Sequence, residues 1–520
     1  MNSDKETELK FLFDPTDWNV LQQSPLVAPS LTSAKHYDLK TIYYDTPDGT
    51  LWKEGVALRV RELSGADGVE RIQTVKCKLA SDVERGEWEV RVPDSTPDLN
   101  LISNIPLKPL FSKPKFAEKL APVFISRVKR IAFLVKEADT EIEVALDTGS
   151  IEAGSHFSPL HELELELKQG DPSAMFQLAH RFQAELPLTL SHISKAEHGH
   201  LLALDRWLLP SKSSAPELTK DMSSHEAFQV IARTCLHDYM LNLIALEGPD
   251  PVEAIHKGRV ALRRLRAAFS LFAPILSDEA FPKLKDEVRW IAQRFGTVRD
   301  RDVLQMSVFE PASQQDVIPG ARILAQLLDK ERHAEHNALK NDLRSDRARA
   351  FLLDFTLWLE HGSWLSSAPK VTVDDGGTLP KNVSFVSFVR EVLQRRQNQI
   401  LKRGASLVKL PPVSRHELRI AAKKLRYMAD FFINVPGVAR ERGSLQPMLD
   451  ALEQMQAHLG ELHDQDFKTA FLEAEWKKFA EYNAAIFAAG RLSAQDDSQE
   501  KTLLRKAVEA YSEFAKAKAF

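Results

Sequence analysis

The stretch HELELELK at residues 161–168 alternates without a break: Glu162, Glu164, Glu166 and Lys168 lie on one side, Leu163, Leu165 and Leu167 on the other. A period of two is that of a β-strand. ETELK at residues 6–10 has the same pattern, with Glu6, Glu8 and Lys10 in line. Like charges in a row repel unless something neutralises them. Other runs in residues 1–200 carry the opposite charge at alternate positions: Arg59 and Arg61 in VALRVREL, Lys76 and Lys78 in ERIQTVKCKL, and Arg127 and Lys129 in FISRVKRIAFLV. A sheet with one solvated face explains any single strand of this kind. Segregation of glutamates to the first and last strands, with Arg and Lys on those between, instead predicts a closed antiparallel barrel with its charges inward. Carboxylate oxygens of Glu6, Glu8, Glu162, Glu164 and Glu166 suit Mg²⁺ or Mn²⁺. Facing Lys and Arg suit phosphate oxygens. A metal-bound polyphosphate matches both walls.

The chain has 520 residues, 43% hydrophobic and 27% charged, which predicts two or three soluble domains. No apolar run spans a bilayer and the N-terminus lacks a signal-peptide core, so the expected location is the cytoplasm, with no membrane partner. Two distant cysteines, Cys77 and Cys235, argue against a disulfide framework or a Cys-based zinc site. The net charge of −4 hides strong local patterning and does not exclude a polyanion.

DPSAMFQLAHRFQAEL (171–186) reads as a helix capped by Asp171, and PSKSSAPELTK (210–220) as a linker. Beyond it the spacing is helical throughout. The expected division is 1–205, a linker at 206–221, and 222–520. The last part holds two halves, 222–362 and 383–520, separated by a loop around 369–382. The halves repeat. HKGRVALRRLRAAFSLF (256–272) matches HELRIAAKKLRYMADFF (416–432) without a gap, and FGTVRDRDV (295–303) matches LGELHDQDF (459–467). Two similar helical bundles are expected.

On a helix, His256, Arg259, Arg263 and Arg266 fall within about a quarter of the circumference, with Arg264 at its other flank. Ala261, Leu262, Leu265, Ala268 and Phe269 lie opposite. The second copy places His416, Arg419, Lys423, Lys424 and Arg426 in the same way. A solvated face would mix signs at i,i+4. Two all-cationic faces at matching positions predict a polyanion site, unless Asp300, Asp302, Asp464 and Asp466 neutralise them. Few aromatics are interleaved, so nucleic-acid base stacking is not signalled.

E-T-E-L-K, R-V-R, T-V-K, an R-x-K strand, a late E-L-E-L-E-L-K and SKAEHGHLL (194–202) together resemble the CYTH family, the triphosphate tunnel metalloenzymes. The resemblance implies an α+β fold built on an antiparallel eight-stranded tunnel. Glu6 and Glu8 are implied as metal ligands, aided by Glu162, Glu164, Glu166 and Asp147. Lys10, Arg59, Arg61, Lys76, Arg127, Lys129 and Lys195 are implied as triphosphate contacts. Lys78 and Arg85 are undecided between lumen and surface.

Paired H-x-x-R-x-x-x-[RK]-[RK]-L-R helices, each followed by G-x-x-[RH]-D-x-D, resemble the CHAD family, an all-α domain associated with inorganic polyphosphate and, in some bacteria, with polyphosphate granules. The implied contacts are His256, Arg259, Arg263, Arg264, Arg266, His416, Arg419, Lys423, Lys424 and Arg426. The combined expectation is an inorganic triphosphatase using Mg²⁺ or Mn²⁺, joined to a binder of long-chain polyphosphate. A non-catalytic polyphosphate binder and a triphosphatase acting on thiamine triphosphate or a nucleotide are the alternatives. Oligomeric state is not written in the sequence.

Overall fold

The computed structural model describes the chain apart from residues 1–3, 66–67, 79–83, 103–110, 112–114, 312–317, 367–383, 442, 476, 478–480, 494–496 and 518. The loop expected at 369–382 therefore lies outside the described residues. The chain forms two compact units. One comprises Met1–Pro210, Met240–Asp250 and Asp342–Glu360; the other comprises Ser211–Tyr239, Pro251–Asn341 and His361–Phe520.

The first unit is built on β1 (Asp4–Leu12), β2 (Lys35–Asp45), β3 (Val56–Gly65), β4 (Gly68–Lys78), β5 (Glu84–Arg91), β6 (Ala121–Glu137), β7 (Thr140–Ala153), β8 (His156–Gln169) and β9 (Thr189–Leu190). Their order is β5-β4-β3-β2-β6-β7-β8-β1-β9, with neighbours antiparallel. Residues Asp4–Thr7 of β1 also pair with β5, closing eight strands into a barrel, and the two-residue β9 adds to β1 as a ninth.

Directly paired residues share a face. The pairs Lys10–Glu164, Glu8–Glu166, Glu162–Asp147 and Asp147–Arg130 therefore put the charged rows on one side. Arg59 opposite Tyr43 and Lys76 opposite Glu87 belong to the same side, which is the interior. The outer side of β2–β5 is apolar: Ile42, Val56, Leu58, Val60 and Val75 pack beneath Phe111 and Phe116.

Two helices follow the last long strand. In α1 (Pro172–Glu185), the Asp171 carboxylate accepts the Ser173 N–H, the cap expected from DPS, and Phe176, Ala179 and Phe182 are buried. Helix α2 (Lys195–Ala203) closes one part of the barrel. Its Leu202 joins Leu39, Tyr43, Phe124, Val128, Ile151 and Leu160 in an apolar cluster. Gly199 allows this approach, since a Cβ there would fall 2.1 Å from Phe124 Cε2.

The second unit is helical, with no strand among its described residues. Its repeated motifs form α3 (Pro251–Phe272), α4 (Phe281–Leu304), α5 (Pro412–Asp430) and α6 (Leu445–Glu475). Helix α3 packs on α4, α5 on α6, and α3 on α5. Ser214, in the segment expected as a linker, is anchored to this unit: its N–H and hydroxyl both donate to Asp238. No helix among the described residues is long and apolar enough to cross a membrane. Cys77 and Cys235 are free and buried.

Candidate functional site

The barrel interior holds two charge groups with different balances. In the first, the oxygens of Asp147, Glu162 and Glu164 lie within 4.8 Å of one another. Cations already fill their midst. Lys195 Nζ, at the first turn of α2, is 2.8 Å from Asp147, 2.6 Å from Glu162 and 2.5 Å from Glu164. Arg130 clasps Asp147 through Nε at 2.7 Å and Nη2 at 2.6 Å, and reaches Glu164 at 2.5 Å. Lys10 adds longer contacts of about 4 Å to Glu162 and Glu164. Burial alone would push these carboxyls up. For Asp147, Arg130 and Lys195 outweigh it; for Glu164, Lys195, Arg130 and Lys10 do, so both stay below the usual carboxylate range.

Removing Arg130 leaves these buried carboxylates short of a cation. Arg130→Met is expected to cost the barrel about 3 kcal/mol, read as a thermal midpoint lower by about 5–10 °C. Because Asp147 and Glu164 are held low, the wild-type contribution is present above about pH 4 and is lost as pH falls further. The gap between wild type and variant should therefore narrow in acid.

The second group is more loosely balanced, with Lys10 3.9 Å from Glu8. Glu8 and Glu166 lie directly opposite across β1 and β8. Burial first, then Glu6 and Glu8, push the Glu166 carboxyl up to about 7, although Lys168 at 2.6 Å opposes the rise. Beside them Lys76 holds Glu6 at 2.6 Å and Glu87 at 3.1 Å, and Arg59 holds Glu87 at 3.2 Å. Arg61 Nε is buried with no hydrogen-bond partner among the described residues. Burial, Arg59 and Arg130 push its guanidinium down to about 10. Tyr43 stacks on Phe124 at 4.3 Å. Burial raises its phenol, but Arg59, Arg61 and Lys195 outweigh this and hold it below its ordinary value.

Two expected contacts are corrected by register. Arg127 and Lys129 of β6 pair with Lys40 and Asp38 of β2 on the outer face. Arg127 is half exposed and binds Glu152 at 3.3 Å, and Lys129 is exposed. Arg130 is the inward cation of that strand. Sequence reading missed it, together with Tyr43 and Glu87. The side chains of Lys78 and Arg85 lie outside the described residues.

In the helical unit, Arg259 Nη1 meets Asp300 at 3.2 Å across α3 and α4. A Cβ on Gly296 would lie 3.5 Å from Arg259 Nη2, and one on Gly460 would lie 3.5 Å from Arg419 Nη2. The repeated glycine is thus the bed on which each guanidinium lies. Arg263 faces Arg259 and Arg266 on its own helix and His416, Arg419 and Lys423 on α5. Repulsion accumulates there: burial, then Arg263, Arg419 and Arg259, push Lys423 down to about 7. His416 Nδ1 and His463 Nδ1 are 3.1 Å apart, one donating and one accepting. His256 instead has Arg299 beside it, which with burial holds it low. Arg426 Nε donates to Gln456 at 3.3 Å, and Lys424 is half-buried.

Arg264 is the third correction. It is 3% exposed, donates to the Ser214 carbonyl at 2.8 Å and to Asp238 at 3.3 Å, and lies 5.0 Å from the Phe431 ring centroid. Its work is to hold the unit together. Arg264→Met is expected to cost about 3 kcal/mol of stability by taking the guanidinium away from the buried Asp238. Titration with polyphosphate should show the folded variant binding as wild type does.

The sequence matches the CYTH domain model over residues 4–200 and the CHAD domain model over 230–473. The chain is a CYTH–CHAD protein. The curated inorganic triphosphatase of Haemophilus influenzae is 28% identical to this CYTH–CHAD chain over 236 residues, 44% of the chain and 64% of that relative. The match thus spans less than two thirds of the relative's length. Among solved structures, the CHAD domain of the plant Ricinus communis is 29% identical with a TM-score of 0.48, covering 58% of this chain and 96% of that one. PptA from Streptomyces chartreusis is 15% identical with a TM-score of 0.41, covering 56% of this chain and 100% of that one.

Proposed function

We propose that the CYTH barrel hydrolyses inorganic triphosphate with a divalent metal, and that the CHAD unit binds long-chain inorganic polyphosphate. The observation that carries the first part is the imbalance inside the barrel. Burial, and then Glu6 and Glu8, drive Glu166 toward neutrality, while in the same interior Arg61 has a buried donor without an acceptor among the described residues. A cation answers the first and an anion the second. Similarity to the inorganic triphosphatase of Haemophilus influenzae supports the same substrate.

The donor set fits a hard divalent cation, because it consists of carboxylate oxygens alone. Glu6, Glu8 and Glu166 are the better set to hold it, since Lys195 and Arg130 already neutralise Asp147, Glu162 and Glu164. When bound, the metal neutralises charge on the phosphate oxygens as the terminal bond breaks. Arg59, Arg61 and Lys76 bind the phosphate chain by charge-assisted hydrogen bonds and favour the charge that gathers on the leaving pyrophosphate. Lys10 and Lys195 extend the cationic wall. Water attacks the terminal phosphorus in line, and the enclosing barrel keeps both reactants in one geometry.

For the CHAD unit, the support is the meeting of two repeated cationic faces where α3 packs on α5, around Arg263 and Lys423. Stacked cations of this kind are relieved by a polyanion whose binding weakens with salt.

Phosphate release from tripolyphosphate, long polyphosphate, ATP and thiamine triphosphate, each with Mg²⁺ and with Mn²⁺, tests the barrel. Tripolyphosphate is expected to be preferred. Preference for ATP or thiamine triphosphate would replace the inorganic substrate by an organic one.

A further inference from the structure

The inference rests on the polyphosphate reading of the CHAD unit. Lys423 lies among the charged groups where α5 packs on α3. From α3 it is faced by Arg259, Arg263 and His256; on its own helix by Arg419 and Arg426; and from α6 by Asp464, while Asp300 of α4 binds Arg259 at 3.2 Å. Helix 385–404 packs beside these helices through rings, Phe385 on Phe432 and Phe388 on Phe272. Cations thus outnumber the two acids around a partly buried ammonium.

The neighbours differ from Lys423 in one respect. Guanidinium keeps its proton, whereas a crowded lysine sheds its own. Arg263, at the matching position of the first repeat, carries the fixed charge of a guanidinium. Lys423 does not: its position near 7 leaves it largely neutral at pH 8. Arg259, pushed down to about 10, is still charged there. His256, His416 and His463 are each held below the ordinary imidazole value, so at pH 8 they are already neutral.

We propose that binding of a polyphosphate chain to this face is coupled to the uptake of one proton by Lys423. The empty face relieves its own repulsion by releasing that proton to solvent. Phosphate oxygens reverse the sign of the local field, and the amine lone pair takes a proton from the buffer to become an ammonium donor. The window follows from the two ends of the shift. Below about pH 7 the lysine is charged before the ligand arrives, and above about pH 10.5 it stays neutral even when bound. Between them, affinity falls as pH rises. The duplication therefore joins one fixed cation, Arg263, to one conditional cation, Lys423.

The test is calorimetric titration of the full chain with long-chain polyphosphate at pH 8, without divalent metal, in two buffers of different ionisation enthalpy. The expected result is a binding heat that differs between buffers and reports uptake of close to one proton. Lys423→Arg should bind with a heat that no longer depends on the buffer. From pH 8 to 9 the wild type should lose several-fold more affinity than this variant. Binding without buffer dependence, or a dependence that persists in Lys423→Arg, overturns the coupling and leaves the polyphosphate reading standing. Absence of binding overturns both. The wild-type measurement decides even if the variant does not fold.

Discussion

Glu8→Ala is expected to lower metal-dependent phosphate release from tripolyphosphate by about 10²- to 10³-fold. Glu8 stands opposite Glu166 and beside Glu6, and the cation nearest it among the described residues, Lys10, is 3.9 Å away. Removing it takes away an oxygen ligand where a divalent cation is proposed. The same change should leave the empty protein no less stable. With one like charge gone, burial and Glu6 still raise Glu166, but the cross-strand repulsion between Glu8 and Glu166 disappears. Loss of activity without loss of thermal midpoint is therefore the signature. A parallel fall in both would make Glu8 a structural residue. Full activity would remove the metal site from this wall.

Arg263→Glu is expected to weaken polyphosphate binding by about 10²- to 10³-fold at low salt and to flatten its salt dependence. Arg263 is the cation that faces Arg259, Arg266, His416, Arg419 and Lys423. Reversing its sign converts repulsion into attraction within the protein and replaces an anion contact with an anion repeller. Stability should rise as binding falls, because a site arranged for a ligand carries a strain that the ligand removes. Binding is read by titration of the full chain at two salt concentrations. Unchanged affinity would move the polyanion site away from the α3–α5 face.

The barrel was legible where alternation was unbroken. Glu6, Glu8, Lys10, Arg59, Arg61, Lys76 and the glutamates of β8 all carry charge on alternate positions, and pairing places each on the inner face. On β6 that rule fails. Arg127, Lys129 and Arg130 offer cations in both parities, and the inward positions there include Phe124 and Val128, which pack beneath α2. Charge did not mark the interior where the interior is apolar. Only the pairing of Arg130 with Asp147 resolves the choice. Tyr43 was invisible for a related reason: a tyrosine between apolar residues reads as core until the guanidiniums around it are placed.

In the helical unit the internal repeat revealed which helices match, and the glycine of each G-x-x-[RH]-D-x-D proved to lie against the matching arginine. Arg264 escaped because a helical wheel places it at the edge of the cationic face. Its partners, Asp238 and Ser214, come from segments that only the tertiary fold brings to it.

The barrel is proposed to be a metal-dependent hydrolase of inorganic triphosphate. Its most direct test is the time course of phosphate release from tripolyphosphate by the intact chain, with Mg²⁺ or Mn²⁺ and again with the metal chelated. Release is expected with metal and none with chelator. Equal release under both conditions, or no release with either metal, would contradict it.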